Sequence, residues 1–277
     1  MTAIAVIEGD GIGKEVIPVA WRLIEALRPD FEFFTLDIGY GKWLQTGSAI
    51  DADDIAALKT TDAVLFGAVT TPPSPDYRSV VVRMRKELDL YANVRPVQGK
   101  GFDIVIVREN TEGLYAGQER IETDRACAVR LLTRRGCERI ARFACCVAKT
   151  RRHLTVGHKA NVLKSDVFFR DIAFAEARKA GIVVRERFID ALCLDVLMHP
   201  TDYDVIVTEN MFGDILSDVA GYLVGGLGML PSANIGDRYG LFEPVHGSAP
   251  DIAGKDIANP IAAIRSAGML LAHLGDH

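Results

Sequence analysis

What this chain lacks narrows its functions before anything it contains does. It has no basic excess: 32 Lys and Arg against 37 Asp and Glu leave a formal charge of −5. With no polybasic run either, there is no field to hold nucleic acid. Long apolar stretches are missing, and "MLLAHL" near the end is far too short to span a bilayer. The N-terminus, "MTAIAVIEGD", turns polar after a few residues and does not read as a leader, so a cytoplasmic protein with no membrane partner is expected. Cys127, Cys137, Cys145, Cys146 and Cys193 form no CxxC pair and no metal-ligand spacing, which points to reduced thiols. The neighbours Cys145 and Cys146 are expected to pack within a helix. No internal repeat or low-complexity tract is found.

What remains is an ordinary globular composition, 49% hydrophobic and 25% charged, over 277 residues, enough for one large domain or two moderate ones. Apolar β-prone runs at 3–7, 31–36, 63–66, 103–107, 153–157, 182–188 and 204–208 alternate with helical patterns. The latter lie at 14–27, 53–59, 79–90, 137–149, 166–179, 191–198 and 213–224. That alternation predicts an α/β fold with a largely parallel sheet. Near-continuous runs such as "DIVIV" and "DVIVT" suit strands buried on both faces. Residues 114–133 break the rhythm with two short alternating runs and no helix. They read as an antiparallel excursion, either an arm pairing with a second subunit or a local hairpin. Pro72, Pro73, Ser74 and Pro75 mark a surface loop or hinge. The glycines from Gly225 suggest a crossing between domains.

"IEGDGIGKEV", residues 7–16, looks like a nucleotide loop between strand and helix. A dinucleotide fingerprint needs G-x-G-x-x-G. Counting from Gly9 the sixth position is Lys14, and from Gly11 it is Val16, so the third glycine is absent. The plainer reading is a tight strand-to-helix turn presenting backbone near a ligand.

More specific stretches lie elsewhere: "RENTEGLY" (108–115), "HKANVLK" (158–164), "NMFGDILSD" (210–218) and "EPVHGSAPDIAGKDIANP" (243–260). In this order they resemble the β-decarboxylating dehydrogenases, the family of isocitrate, 3-isopropylmalate and homoisocitrate dehydrogenases. The resemblance runs from residue 4 to about residue 275. It implies an isopropylmalate-dehydrogenase-like two-domain fold rather than a Rossmann fold. Residues 1–90 and 225–277 would form the cofactor-side domain, and 91–224 the dimerisation and metal domain with its arm at 114–133. In the family the dinucleotide lies mainly against the HGSAPD loop, with the GDGIG turn alongside. That assigns Ile12, Glu243, His246, Gly247, Ser248, Ala249, Asp251 and Asn259 to the cofactor, His246 as a loop contact rather than an acid–base group.

Asp214 and Asp218 are four apart in a helical pattern, so their carboxylates share a face. Paired oxygens of this kind suit Mg²⁺ or Mn²⁺ better than zinc, although spacing alone equally describes a solvated acidic face. The family uses both as metal ligands and takes a third, matching Asp190, from the partner subunit. Asp195 does not align with that motif. Arg85, Arg95 and Arg108 would clamp a dicarboxylate, because a guanidinium fork binds carboxylate in a bidentate way that lysine cannot. Lys159 and Tyr115 match the family's proton-transfer pair, and Asn161 a contact to substrate or nicotinamide. The implied reaction has Lys159 assist loss of the 2-hydroxyl proton as hydride leaves C2. The metal then stabilises the enolate left by CO₂, and Tyr115 protonates C3. Since the lysine and one aspartate cross between subunits in the family, at least a homodimer is expected.

Asp251 points to NAD. A 2′-phosphate beside it, at about 5 Å and an effective dielectric near 20, would be repelled by roughly 3 kcal/mol per unit charge. For the substrate, Arg78 and Ser79 resemble the pair that meets the distal carboxylate in isocitrate-type enzymes, whereas Val81 and Val82 offer an apolar wall for an isopropyl group. Residues 70–96 and 119–144 look most like methanogen homoisocitrate dehydrogenases. Homoisocitrate therefore leads, followed by 3-isopropylmalate and then isocitrate. Two departures accompany the resemblance: the loop at 97–103 is short, and relatives usually continue past "AHLGDH" with further helices and a strand. A catalytically idle regulatory subunit, the rival reading, should lack some of these side chains, and this chain keeps them all.

Overall fold

The computed structural model describes residues 2–74 and 76–276. In chain order its main elements are β1 (Ala3–Gly9), α1 (Gly13–Leu27), β2 (Glu32–Thr35), α2 (Tyr40–Thr46), α3 (Ala52–Leu58), β3 (Ala63–Ala68) and α4 (Val80–Glu87). Then come β4 (Ala92–Gly99), β5 (Phe102–Glu109), β6 (Glu119–Ile121), β7 (Ala126–Ala128), α5 (Arg134–Ala148), β8 (Leu154–His158), α6 (Lys164–Ala180) and β9 (Val184–Phe188). The last are α7 (Ile189–Met198), β10 (Val205–Thr208), α8 (Asn210–Gly221), β11 (Pro231–Ile235), β12 (Gly240–Pro244) and α9 (Ile261–His273). The chain divides into two compact units, one made of the residues up to Leu90 with those from Gly225, the other Tyr91–Val224.

In the first unit the strand order is β2-β1-β3-β12-β11. All neighbours run parallel except the β11–β12 pair. Strand β3, "AVLFGA", is buried along its whole length, as its unbroken apolar run requires of a strand covered on both faces. Helix α1 buries Val16, Ile17, Ala20 and Ile24, spaced three and four apart. A cluster built on Ile7, Val64, Phe66, Val80, Met84 and Leu241 forms one core layer. Each such large side chain contributes about 1.5–3 kcal/mol by leaving water.

The second unit has the order β4-β5-β10-β8-β9, with only β4–β5 antiparallel. Segment 114–133 forms the antiparallel excursion as a hairpin within the chain: β6 pairs with β7, and Gly113 bridges Leu131 at its base. Both short strands are exposed.

Several boundaries differ from the sequence pattern for identifiable reasons. Helix α5 begins three residues before the expected Cys137 because Thr133 caps it, accepting the Gly136 N–H at 3.0 Å. Helix α8 begins at Asn210 rather than Gly213 because the Glu209 carboxylate accepts the Phe212 N–H at 2.9 Å. Strands β4, β11 and β12 carry Pro, Gly, Asn and Ser, which hide the β signal, and they were not expected. Cys145 and Cys146 both lie in α5, but only Cys145 is buried and Cys146 is exposed. The buried face of α5 runs through Cys137, Ile140, Ala141, Ala144, Cys145 and Ala148, and Cys146, about 100° further round, falls outside it. Pro75 of the proline cluster lies outside the described residues. Among the described residues, no helix is long and apolar enough to cross a membrane.

Candidate active site

The second unit concentrates charge at the start of α8. Arg108, at the end of β5, is 1% exposed. Its Nε and Nη2 donate to Asn210 Oδ1 at 3.0 and 2.7 Å, and its Nη1 bonds Asp214 Oδ1. Gly213 allows this approach, since a Cβ there would stand 2.7 Å from Arg108 Cβ. Arg95 on β4 reaches the same helix. Its Nη1 donates to Ser217 Oγ at 2.6 Å and lies 3.4 Å from Asp214 Oδ1 and 3.5 Å from Asp218 Oδ1. Tyr115 Oη donates to Asp214 Oδ2 at 2.9 Å, and the Arg108 guanidinium lies 5.5 Å from the tyrosine ring centroid. Arg95, Arg108, Tyr115, Asp214 and Asp218 thus form one cluster around two carboxylates on one helical face.

Electrostatics sort the roles within it. Burial raises the Tyr115 phenol above its ordinary pKa and Asp214 beside it adds to this, so the tyrosine is held as a proton donor at neutral pH. Burial also raises the Asp218 carboxyl, opposed by Arg95 and reinforced by Asp214. Arg95 and Arg108 answer Asp214 and Asp218, and two carboxylates on one helical face could hold a hard divalent cation together with water and substrate oxygens.

Lys159 and Asp190 form a separate pair. Lys159 Nζ donates to Asp190 Oδ1 at 2.5 Å, and this bond holds the Asp190 carboxyl below its usual range. Asp190 therefore does not join Asp214 and Asp218. Among the described residues, no group of three His, Cys, Asp or Glu side chains is gathered for a metal. The Lys159 turn is fixed by its neighbours. Asp166 accepts the Lys159 N–H at 2.6 Å, and the buried His158 accepts the Ala160 N–H at Nδ1, 3.1 Å, with Nε2 2.9 Å from Glu186. Asn161 is exposed on this turn.

In the first unit, the GDGIG turn and the HGSAPD loop are stitched together. The Ile12 N–H donates to Ser248 O at 2.9 Å, Thr70 and Ser248 hydroxyls meet at 2.7 Å, and the Gly254 N–H reaches Glu15 at 2.6 Å. Gly11, at φ +55°, is required here, because a Cβ would lie 2.0 Å from Ser248 O. Asp10 fixes the turn by accepting the N–H groups of Tyr40, Gly41 and Thr70 at 2.8–2.9 Å. Burial lowers the His246 pKa, and its Nε2 is buried without a hydrogen-bond partner. An orphaned polar atom beside exposed Gly247 and Asp251 fits a ligand that brings its own donors and acceptors. Ala249 takes the left-handed φ of +38°. Asn259 spends its Oδ1 on the Ile261 N–H at 3.0 Å, at the start of α9.

Arg85 is the remaining arginine of the expected clamp. It belongs to the first unit, where it is 8% exposed and donates to Asn234 at 3.0 Å and Glu243 at 3.1 Å. Arg78 is exposed, the Ser79 hydroxyl accepts the Val82 N–H at 3.5 Å to cap α4, and Val81 packs on the core. Sequence reasoning did not find Asn210, Ser217, Arg130, Asp166 or Glu209. Asn210 and Ser217 stand inside a quoted motif and were within reach; the others are recognisable only by their contacts.

Residues 3–277 match the isocitrate/isopropylmalate dehydrogenase family. The chain belongs to it. It is similar to two proteins of Methanocaldococcus jannaschii. One, "Homoisocitrate dehydrogenase", is 46% identical over all of this chain and 86% of the relative. The other, "3-isopropylmalate/3-methylmalate dehydrogenase", is 48% identical over all of this chain and 87% of the relative. The crystal structure of isocitrate dehydrogenase from Methylococcus capsulatus superposes with a TM-score of 0.96 at 41% identity, covering 100% of this chain and 86% of that one. Membership in the isocitrate/isopropylmalate dehydrogenase family agrees with the α/β architecture and the clustered aspartates. The two archaeal relatives, near-equal in identity and different in substrate, leave the substrate open.

Proposed function

We propose that this chain is a cytoplasmic NAD- and Mg²⁺- or Mn²⁺-dependent dehydrogenase that oxidatively decarboxylates a 3-substituted malate, with homoisocitrate as the leading substrate. The observation that supports it most is the single cluster in which Asp214 meets two buried arginines and the hydroxyl of a phenol held protonated, with Asp218 one turn on. Arg95 and Arg108 orient the substrate carboxylates. Asp214 and Asp218 hold the divalent ion, which when bound would supply Lewis-acid polarisation of the 2-oxygen. Ile12 and the HGSAPD loop, with Asp251 toward the ribose, would hold NAD, which when bound would supply the hydride acceptor for C2. Tyr115 gives its proton to C3 and draws a replacement from solvent through its exposed edge. Lys159 takes the 2-hydroxyl proton as the neutral amine, after its bond to Asp190 opens and its own extra proton passes to solvent. Lys159 and Asp190 stand as a pair apart from the α8 cluster, which favours the homodimer in which each copy lends them to the other.

The exposed Arg78 is available to a distal carboxylate, while Val81 is engaged with the core. This favours a tricarboxylate over an isopropyl substituent; 3-isopropylmalate is the alternative. The deciding experiment follows nucleotide reduction with homoisocitrate, 3-isopropylmalate, isocitrate and D-malate, each with NAD or NADP and with Mg²⁺ or EDTA. The expected result is metal-dependent NAD reduction, fastest with homoisocitrate. No reduction with any substrate ends the proposal, and a preference for NADP removes the role given to Asp251.

A further inference from the structure

One guanidinium stands between the turn that carries Lys159 and the helix that carries Asp214 and Asp218. Arg130, at the base of the hairpin, bonds Asp166 Oδ1 through Nη1, which also lies 3.1 Å from Ser165 Oγ. Its Nη2 lies 3.2 Å from Glu209 Oε1, and its Cζ is 4.9 Å from the Phe212 ring centroid. Both carboxylates are almost fully buried, Asp166 at 0% and Glu209 at 1% exposure. Each also holds one backbone N–H of a site element. Asp166 Oδ2 takes that of Lys159 at 2.6 Å, and Glu209 Oε1 takes that of Phe212 at 2.9 Å in the first turn of α8.

Two buried anions facing one another are tolerated only with a cation between them. Burial pulls the Arg130 pKa down, but Glu209 and Asp166 raise it by more, so the guanidinium stays charged. A planar fork can meet two carboxylates at once, and an ammonium cannot do so in the same geometry. Gly113 and Leu131 close the hairpin beside Arg130, and Glu112 accepts the Thr133 N–H at 2.7 Å, which anchors the backbone on either side.

We infer that Arg130 is a positioning residue that sets the Lys159 turn and the metal-site helix relative to each other within the second unit, through Asp166 and Glu209. It touches neither substrate nor cofactor. The inference rests on the reading of Lys159 and α8 as reaction machinery.

Arg130→Ala, Arg130→Lys and Asp166→Asn test it in the full-length chain. Asp166→Asn keeps an acceptor for the Lys159 N–H and removes the charge facing Arg130. In Arg130→Ala, kcat should fall at least 100-fold with KM changed less than about threefold, and millimolar guanidinium should recover at least tenfold. Arg130→Lys should fold and lose about tenfold in kcat. Amide hydrogen exchange gives a readout independent of turnover: protection should fall at Lys159 and Phe212 and stay unchanged in β1 and β3. Wild-type kcat in Arg130→Lys, or unchanged protection at both amides, overturns the inference. Should Arg130→Ala fail to fold, Arg130→Lys and Asp166→Asn decide by the same two readouts. If the wild type turns over no substrate, the proposed function fails while the exchange experiment still judges the positioning role.

Discussion

The two units handle ligand-facing chemistry differently. In the first, backbone N–H groups supply the donors: that of Ile12 goes to Ser248 O in the loop at His246–Asp251, that of Gly254 to the Glu15 carboxylate, and those of Tyr40, Gly41 and Thr70 to the Asp10 carboxylate. Its buried ions, Arg85 and Glu243, satisfy one another and Asn234. In the second, charged side chains converge: Arg95 and Arg108 meet Asp214 and Asp218, and burial raises the Asp218 carboxyl and the Tyr115 phenol. A backbone-built surface tolerates side-chain change and suits an extended ligand read by shape and hydrogen bonds. A charge-built pocket suits a small polyanion with a cation, and each of its members is costly to remove.

That contrast can be broken by substitution. The largest effect belongs to the charge-built side. Arg108→Met takes one buried partner from Asp214, which keeps Tyr115 and Arg95, and the guanidinium from Asn210, and should destabilise the second unit by about 3 kcal/mol. Urea unfolding should show it together with loss of turnover, and a change under 1 kcal/mol would mean that the cluster is not held by Arg108. Next comes Gly11→Ala, which forces a Cβ onto Ser248 O at a left-handed φ. It should cost roughly 1–3 kcal/mol and weaken NAD binding measured by calorimetry, whereas undiminished NAD affinity would detach this turn from the cofactor. Ser248→Ala removes only the Thr70 hydroxyl contact and should cost about 0.5–1.5 kcal/mol. A larger loss there would contradict the backbone-built description.

The smallest effect is alkaline. Cys137 lies buried in α5, and burial, with Glu112 and Glu109 adding, pushes its thiol up to about 12. A group whose pKa is raised on folding contributes stability that is fully present below its unfolded value, about 8.5 for a thiol. That contribution is lost as pH climbs toward the folded value. The melting temperature should therefore decline between about pH 9 and 12, and less steeply in Cys137→Ala. Parallel declines would exclude the thiol as the cause.

Much of this was legible in the chain itself. The alternation of strands and helices, the shared face of Asp214 and Asp218, the missing third glycine at Gly9–Gly13 and the four family motifs are local. Each depends on residues within about a helical turn or a strand length. Strands β4, β11 and β12 were not legible, because their Pro, Gly and Asn become strand only through pairing with remote segments. The ion pairs were likewise hidden. Arg85 meets Glu243 and Arg130 meets both Asp166 and Glu209 across long intervals of sequence, and Lys159 is found on Asp190. A charged group's partner is chosen by distance and by how completely both are withdrawn from water. The sequence by itself determined which chemical groups this protein possesses and the order of its elements; only the tertiary structure decided which cation answers which carboxylate, since neither separation nor burial is written in residue spacing.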